Sequence, residues 1–282
     1  MTARTVLIVT ALTLQEATRR RVLRSLAVLT VVLLSLSAWG FSRIDATFGG
    51  LTSGESRLVA AMVLNLVMFG LSLIAALGTA FLAGPTLAGE TESGTALAIL
   101  ARPVHRFAVL LGKWLGLVIF ASGFVVVAGV AQFVIVQVTT GYWPPRPVVG
   151  LALLAAQAVV LLTLGLLLST VISPMASGIV AVGLFGSTWI AGVVGAFGAA
   201  LDNDGVARIG TVSRMLLPTD GLWRGAMNSF QDPTLLVQFN EAFQGHPFLS
   251  TAAPTTTYLA WAGLWVVLVL GLAGAAFHRR DL

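Results

Sequence analysis

The chain contains uncharged stretches too long for any water-facing fold to hide. Residues 58–89 form a run of 32 without Asp, Glu, Lys or Arg, and further uncharged runs cover 25–42, 114–145, 147–201 and 242–278, histidine being counted as neutral. A helix needs about 20 apolar residues to cross the roughly 30 Å hydrocarbon core of a bilayer. Only 10% of the residues are charged, where soluble domains carry roughly 25%, so a hydrated surface cannot be built from this chain. The run 147–201 is too long for one helix. Ser173-Pro174 divides it, because proline lacks an N–H and clashes with the preceding turn. The sequence therefore predicts an all-α membrane protein with six transmembrane helices, near 23–41, 58–82, 109–138, 148–172, 176–200 and 255–277.

Arginine sets the expected orientation. With the N-terminus cytoplasmic, the inner side collects Arg4, Arg19, Arg20, Arg21, Arg24, Arg102, Arg106, Lys113, Arg279 and Arg280. The outer side collects Arg43, Arg57, Arg146, Arg208, Arg214 and Arg224, three of them in one long loop that weighs little in such a comparison. Both termini are expected in the cytoplasm. The opening "TVLIVTALTL" runs into "QEATRRR" instead of a small-residue cleavage site, so residues 1–22 read as an N-terminal interfacial helix and not a signal peptide. The basic balance then reads as topology, with no nucleic acid as partner.

On this layout, spans 1–2 occupy 23–84, a cytoplasmic loop 85–108, spans 3–5 109–200, an extracytoplasmic loop 201–254, and span 6 with a cytoplasmic tail 255–282. Within the outer loop, "PTDGLWRGAMNSF" offers Thr219 or Asp220 as a helix N-cap. Leu222, Trp223, Ala226, Met227 and Phe230 fall on one face, with Arg224 and Asn228 opposite. That pattern fits a short amphipathic helix in the outer interface, or equally one packed over the bundle.

Ionisable groups in a membrane mark ion or proton pathways, and the spans contain none except Arg24 and Lys113, each near one end of its span. Proton-coupled transport loses its usual carrier group. The histidines 105, 246 and 278 have no metal-ligand spacing, "DNDG" lacks the rest of a calcium loop, and no phosphate-binding GxxxxGK[ST] occurs. The chain is not expected to be an enzyme or to bind a metal or cofactor. The amides Asn65, Gln132, Gln137 and Gln157 either join helices by hydrogen bonds or line a translocation path. Gly112 with Gly116, and Gly192, Gly195 and Gly198, would allow helices to approach closely.

Three pieces resemble the permease subunits of ABC exporters of the type-2 class, nearest the branch containing the nitrous-oxide-reductase maturation permease and related multidrug exporters. "ETESGTALAILARPVHRFAVLLGKWLG" is similar to that family's acidic, Gly-Thr, Leu-rich, Pro-x-x-Arg, Gly-Lys segment after the second span. "MLLPTDGLWRGAM" is similar to its segment of Pro, Asp and Arg after the fifth span, and "FHRRDL" to its short basic tail. The resemblance spans essentially the whole chain. It implies the membrane half of an ATP-driven exporter in the plasma membrane of a bacterium, partnered by a second permease copy or paralogue and by two ABC ATPase subunits that hold the ATP and Mg.

The same resemblance makes 89–107 a coupling element seated on an ATPase, with Glu90, Glu92, Gly94, Thr95, Leu97, Leu100, Arg102, Pro103, Arg106 and Lys113 as its residues. Physical chemistry is compatible. The carboxylates precede a short helix whose dipole they favour, apolar residues are available for a groove, and Pro103 ends the helix. The competing reading is a solvated loop whose charges only enforce topology. Pro218, Asp220, Trp223 and Arg224 are candidates for an outer gate, or a structural Asp–Arg pair. Without buried charge in the spans, the expected cargo is hydrophobic or amphipathic. The functional alternative is an ATP-independent channel or scaffold.

Overall fold

The computed structural model describes residues 2–19, 21–48, 54–92, 106–232, 246–250 and 252–279. Its elements are α1 (Thr2–Arg19), α2 (Arg21–Phe48), α3 (Gly54–Glu92), α4 (Arg106–Thr140), α5 (Pro147–Ser169), α6 (Pro174–Ala200), α7 (Asp204–Leu216), α8 (Thr219–Phe230) and α9 (Thr256–Arg279). The described residues contain no strand. Among the described residues six helices, α2 to α6 and α9, are long and apolar enough to cross a membrane, over Val22–Arg43, Arg57–Gly84, Phe107–Thr140, Pro147–Ser169, Pro174–Ala200 and Thr256–Arg279. The expected spans agree with these to within a few residues, and the break falls where Ser173-Pro174 predicts it, with Pro174 the first residue of α6.

Helix α5 is the axis of the bundle. Its sequence is apolar on every side, which is the pattern of a helix surrounded by protein, and it packs against α3, α4, α6, α8 and α9. Of its apolar window 67% is buried, against 17% for α2, so α2 leaves most of a greasy face uncovered. Two buried amides stitch the bundle. Ser72 of α3 donates to Gln157 Oε1 of α5 at 2.9 Å, and Gln132 Nε2 of α4 donates to Ser37 Oγ of α2 at 2.7 Å. Trp114 Nε1 of α4 donates to Thr163 Oγ1 of α5 at 2.9 Å.

Close contacts define two ends. At one end Gly84 of α3 meets the start of α6 at Pro174, and Gly274 of α9 meets Phe107 and Leu110 at the start of α4. Helix α1 also packs there, against Gly112 and Gly116 of α4. The end of α3 and the start of α4 both lie at this end, which we call proximal. At the distal end the start of α5, the end of α4, the end of α8 and residues 246–250 come together. Helices α3 and α4, at 39 and 35 residues, are the longest among the described residues. Past Gly84, α3 runs on to Glu92, adding roughly 12 Å at 1.5 Å per residue.

Candidate functional site

The segment between α6 and α9, expected as a loop with one short helix, holds two among its described residues. Helix α7 folds back antiparallel along α6, with the small residues of both making the contact. A Cβ on Gly195 would lie 2.7 Å from the Cα of Gly210, and one on Gly198 would lie 2.6 Å from the nitrogen of Ala207. Gly195 and Gly198 therefore serve to let α7 in, while Gly192 gives room to the start of α8. The chain then turns at Leu217-Pro218 and returns to the distal end as α8.

The depth of that turn follows from its partners. Thr219 Oγ1 lies 2.9 Å from Thr188 Oγ1, and a Cβ on Gly192 would collide with the carboxylate of Asp220. At 1.5 Å per residue, Gly192 and Thr188 lie roughly 12 and 18 Å along α6 from its Ala200 end. The α7–α8 pair is thus a hairpin that re-enters the bundle, and it carries charge to a level where the spans have none.

At its tip Asp220, with a side chain 1% exposed, accepts from Arg214 Nε at 2.8 Å and from Arg224 Nε at 3.0 Å, both on Oδ2. Arg224 Nη2 also donates to the carbonyl of Gly192 at 2.7 Å. Oδ1 is buried with no hydrogen-bond partner among the described residues. Two guanidiniums on one carboxylate leave the cluster with one net positive charge.

The turn is held by one face of α9. Tyr258 OH donates to Pro218 O at 3.1 Å, Trp261 Nε1 to Met215 O at 3.1 Å, and Trp265 Nε1 to Leu216 O at 2.8 Å. The last carbonyls of a helix have no intrahelical partner, and in an apolar setting they need donors from elsewhere. Residues 258, 261 and 265 share one side of α9 by helical spacing and supply them.

Helix α8 is buried on nearly every side, with Asp220, Leu222, Trp223, Ala226, Met227, Ser229 and Phe230 all enclosed. It packs into the bundle, and the side expected to face water turns inward as well, since Arg224 bonds to Gly192 and Asn228 Nδ2 donates to Ser250 O at 2.9 Å. Its N-cap is Pro218, not Thr219 or Asp220, without a side-chain cap bond. The Thr219 hydroxyl is taken by Thr188 and the Asp220 carboxylate by the arginines. At the distal end Tyr142 OH donates to Phe230 O at 2.6 Å and Arg146 N to Ser229 O at 3.1 Å. Burial raises the Tyr142 phenol above its ordinary pKa, with the Asp232 charge adding to the rise and Arg57 opposing it, so the hydroxyl stays a donor.

The four amides are dispersed. Asn65 Nδ2 donates to Phe248 O at 2.9 Å, its Oδ1 being buried without a partner among the described residues. Gln132 and Gln157 sit in the interhelix bonds given above, and Gln157 also lines a water-sized cavity of about 10 Å³ with Ser72, Met68 and Gly129. Gln137 is exposed near the distal end of α4. Trp223 is enclosed beside Phe69, their rings 5.4 Å apart. Of the proximal residues, Glu90 and Glu92 belong to the last turn of α3 and Arg106 begins α4. Lys113 is 5% exposed. Gly94, Thr95, Leu97, Leu100, Arg102 and Pro103 lie outside the described residues. Among the described residues no three His, Asp or Glu side chains gather as a metal would require. Arg214 is the site residue that sequence reading missed.

Six apolar helices closed over a charged hairpin describe a multi-pass membrane protein without naming its work. A family model for ABC-2 family transporter proteins matches residues 10–282. The chain belongs to the ABC-2 transporter family. It is accordingly a membrane component, or permease, of an ABC transporter. No curated protein matches the chain. For an ABC-2 permease, the α7–α8 hairpin places arginine and aspartate inside the helical unit that spans the membrane, and the end of α3 and the start of α4 lie at the end where α1 and the end of α9 also gather.

Proposed function

We propose that this chain is the permease half of an ATP-driven exporter, working as a dimer with a second copy or a paralogue above two ABC ATPase subunits that carry the ATP and Mg. The observation that carries the proposal is the ABC-2 family match over residues 10–282. The sparse burial of α2, α6 and α9, at 17%, 28% and 28% of their apolar windows, supports further apolar contact with lipid or a second permease. The cargo is amphipathic or hydrophobic, consistent with spans whose charges lie only towards their ends.

In this proposal the proximal end faces the cytoplasm, in a bacterial plasma membrane, and residues 89–107 grip the ATPase. The two longest helices flank that segment, so a push at Glu90, Glu92 or Arg106 would act on long levers. Helix α1 buries Thr10, Thr13 and Ala17 while leaving Leu7, Ile8 and Leu12 exposed, which suits a helix with one side on α4 and the other in lipid.

Co-purification tests the reading. The tagged, detergent-solubilised protein should bring down a soluble ATPase in roughly 1:1 proportion, and the complex should hydrolyse ATP. Reversing Glu90 and Glu92 to lysine should lower that turnover or release the subunit. A protein that arrives alone and conducts ions by itself would overturn the proposal.

A further inference from the structure

Two neighbouring cavities inside the bundle have the same size and opposite chemistry. Each measures about 10 Å³, and Ala75 of α3 lines both. The cavity between α2, α3, α4 and α5 is lined by apolar groups and Thr79, whose hydroxyl already donates to the Ala76 carbonyl at 3.0 Å. The cavity between α3, α4 and α5 is lined by Ser72 and Gln157 among apolar groups. A single water needs roughly 10–15 Å³ and two to four polar partners, and apolar cavities stay dry. Size alone does not separate the two, but polarity does.

Gln157 is the group that helix packing leaves half satisfied. It is 3% exposed and Ser72 7%, and Ser72 lies near the middle of the Arg57–Gly84 span, so neither reaches bulk water. The Ser72 hydroxyl donates to Gln157 Oε1 at 2.9 Å, which accounts for the amide oxygen. The Nε2 group carries two N–H donors and has no hydrogen-bond partner among the described residues. A buried donor left in that condition carries its full desolvation penalty. Exchanging the amide oxygen and nitrogen reverses the bond to Ser72 and leaves an unpaired acceptor in place of the donor. Either arrangement presents an unmet polar group to a water-sized space, and water both donates and accepts.

From this juxtaposition we infer that the Ser72/Gln157 cavity is a binding site for one water molecule, which accepts from Gln157 Nε2 and donates to Ser72 Oγ. The water closes a ring of three hydrogen bonds between α3 and α5 at a level where the bilayer supplies no water of its own. It gives Gln157 a task within one copy of the permease, apart from any translocation path and independent of how the chain is coupled to ATP.

Met68 reports the water. Its side chain is fully buried and lines the cavity, and methionine is readily oxidised to the sulfoxide. X-ray radiolysis of a water held beside it releases hydroxyl radicals against the sulfur. Met227 is as fully buried but does not line this cavity. When the protein in lipid nanodiscs is exposed to millisecond X-ray pulses, mass spectrometry should find Met68 sulfoxide rising with dose several-fold faster than Met227 sulfoxide.

Q157L should bring Met68 down to the Met227 rate. The Ser72 hydroxyl then falls back on the Met68 carbonyl, four residues earlier in its own helix. A158V fills the cavity from the α5 wall, leaves the amide in place and should have the same effect. Met68 oxidised no faster than Met227 in the unaltered protein would overturn the inference, however the variants behave. Fast Met68 oxidation that persists in both variants would overturn it too, by tracing the reaction to opening of the bundle. Co-purification with an ATPase is unaffected by either result.

Discussion

Gly192 and Asp220 touch: the carboxylate of Asp220 occupies the space where a side chain on residue 192 would begin. That contact allows the hairpin to seat at all, because it lets Arg224 reach the Gly192 carbonyl at 2.7 Å while still holding Asp220. Gly192→Ala is expected to push the carboxylate away and separate the pair. Overpacking of this kind costs about 1–3 kcal/mol, so the thermal midpoint in detergent should fall by several degrees. Gly183→Ala, where a Cβ meets nothing within 4 Å, is the matched control and should leave the midpoint in place.

The aromatic clamp makes a second prediction. Trp261→Phe and Trp265→Phe keep the ring area but remove the donors to Met215 O and Leu216 O. Interhelix hydrogen bonds in membranes are worth about 0.6–2 kcal/mol each, so the double variant should loosen the turn without unfolding the bundle. Hydrogen exchange should rise in 214–222 and stay unchanged in α3 and α5. A uniform rise across all helices would show that the indoles hold the whole fold and not the hairpin.

Much of this architecture is legible in the sequence, for reasons visible at particular residues. The uncharged runs and Ser173-Pro174 locate the spans because a bilayer admits few other solutions. The proximity of α7 to α6 is less legible. Gly192, Gly195 and Gly198 advertise a close approach, but the partner at Ala207 and Gly210 lies in a segment with the polarity of an ordinary loop. Arg214 looks like one more outer arginine, since its partner Asp220 follows only after a turn through Pro218. The spacing of Tyr258, Trp261 and Trp265 was the available clue: three aromatic donors on one helical face call for carbonyls opposite them. The structural Asp–Arg pair read as one alternative for Asp220 and Arg224 is present, while the depth it reaches depends on tertiary packing that no local signal encodes.

Helix α1 gives a third prediction. It sits on Gly112 and Gly116, where a Cβ would come within 2.7 Å of Val9 Cβ and 2.8 Å of the Thr10 carbonyl, respectively, and Thr10 Oγ1 donates to Gly112 O at 3.1 Å. Leucine at both glycines should unseat α1. The sequence contains no cysteine, so a single Thr13→Cys, at a site 6% exposed, reports the event by its reaction with a maleimide. Labelling should be slow in the parent and at least several-fold faster with the two leucines. Gly123→Leu, where a Cβ meets nothing within 4 Å, should leave it slow.

Protonation of His246 gives the last. Its Nδ1 accepts from the Phe248 amide at 3.2 Å, and the Phe248 carbonyl in turn accepts from Asn65 at 2.9 Å and from Gln231 at 3.1 Å. Burial lowers the His246 pKa below its ordinary value of 6.5, so the folded strap binds a proton less readily than the unfolded one. The stability it contributes is present above about 6.5 and is lost as the pH falls through the lowered folded value. A doubly protonated imidazole also has no lone pair for the Phe248 amide. Exchange protection at Phe248, Leu249 and Ser250, corrected for intrinsic rates, should therefore decline as the pH falls from neutral through that lowered value. In His246→Ala the protection should be lower at neutral pH and nearly flat across that range. An equally steep decline in the alanine variant would place the titrating group elsewhere.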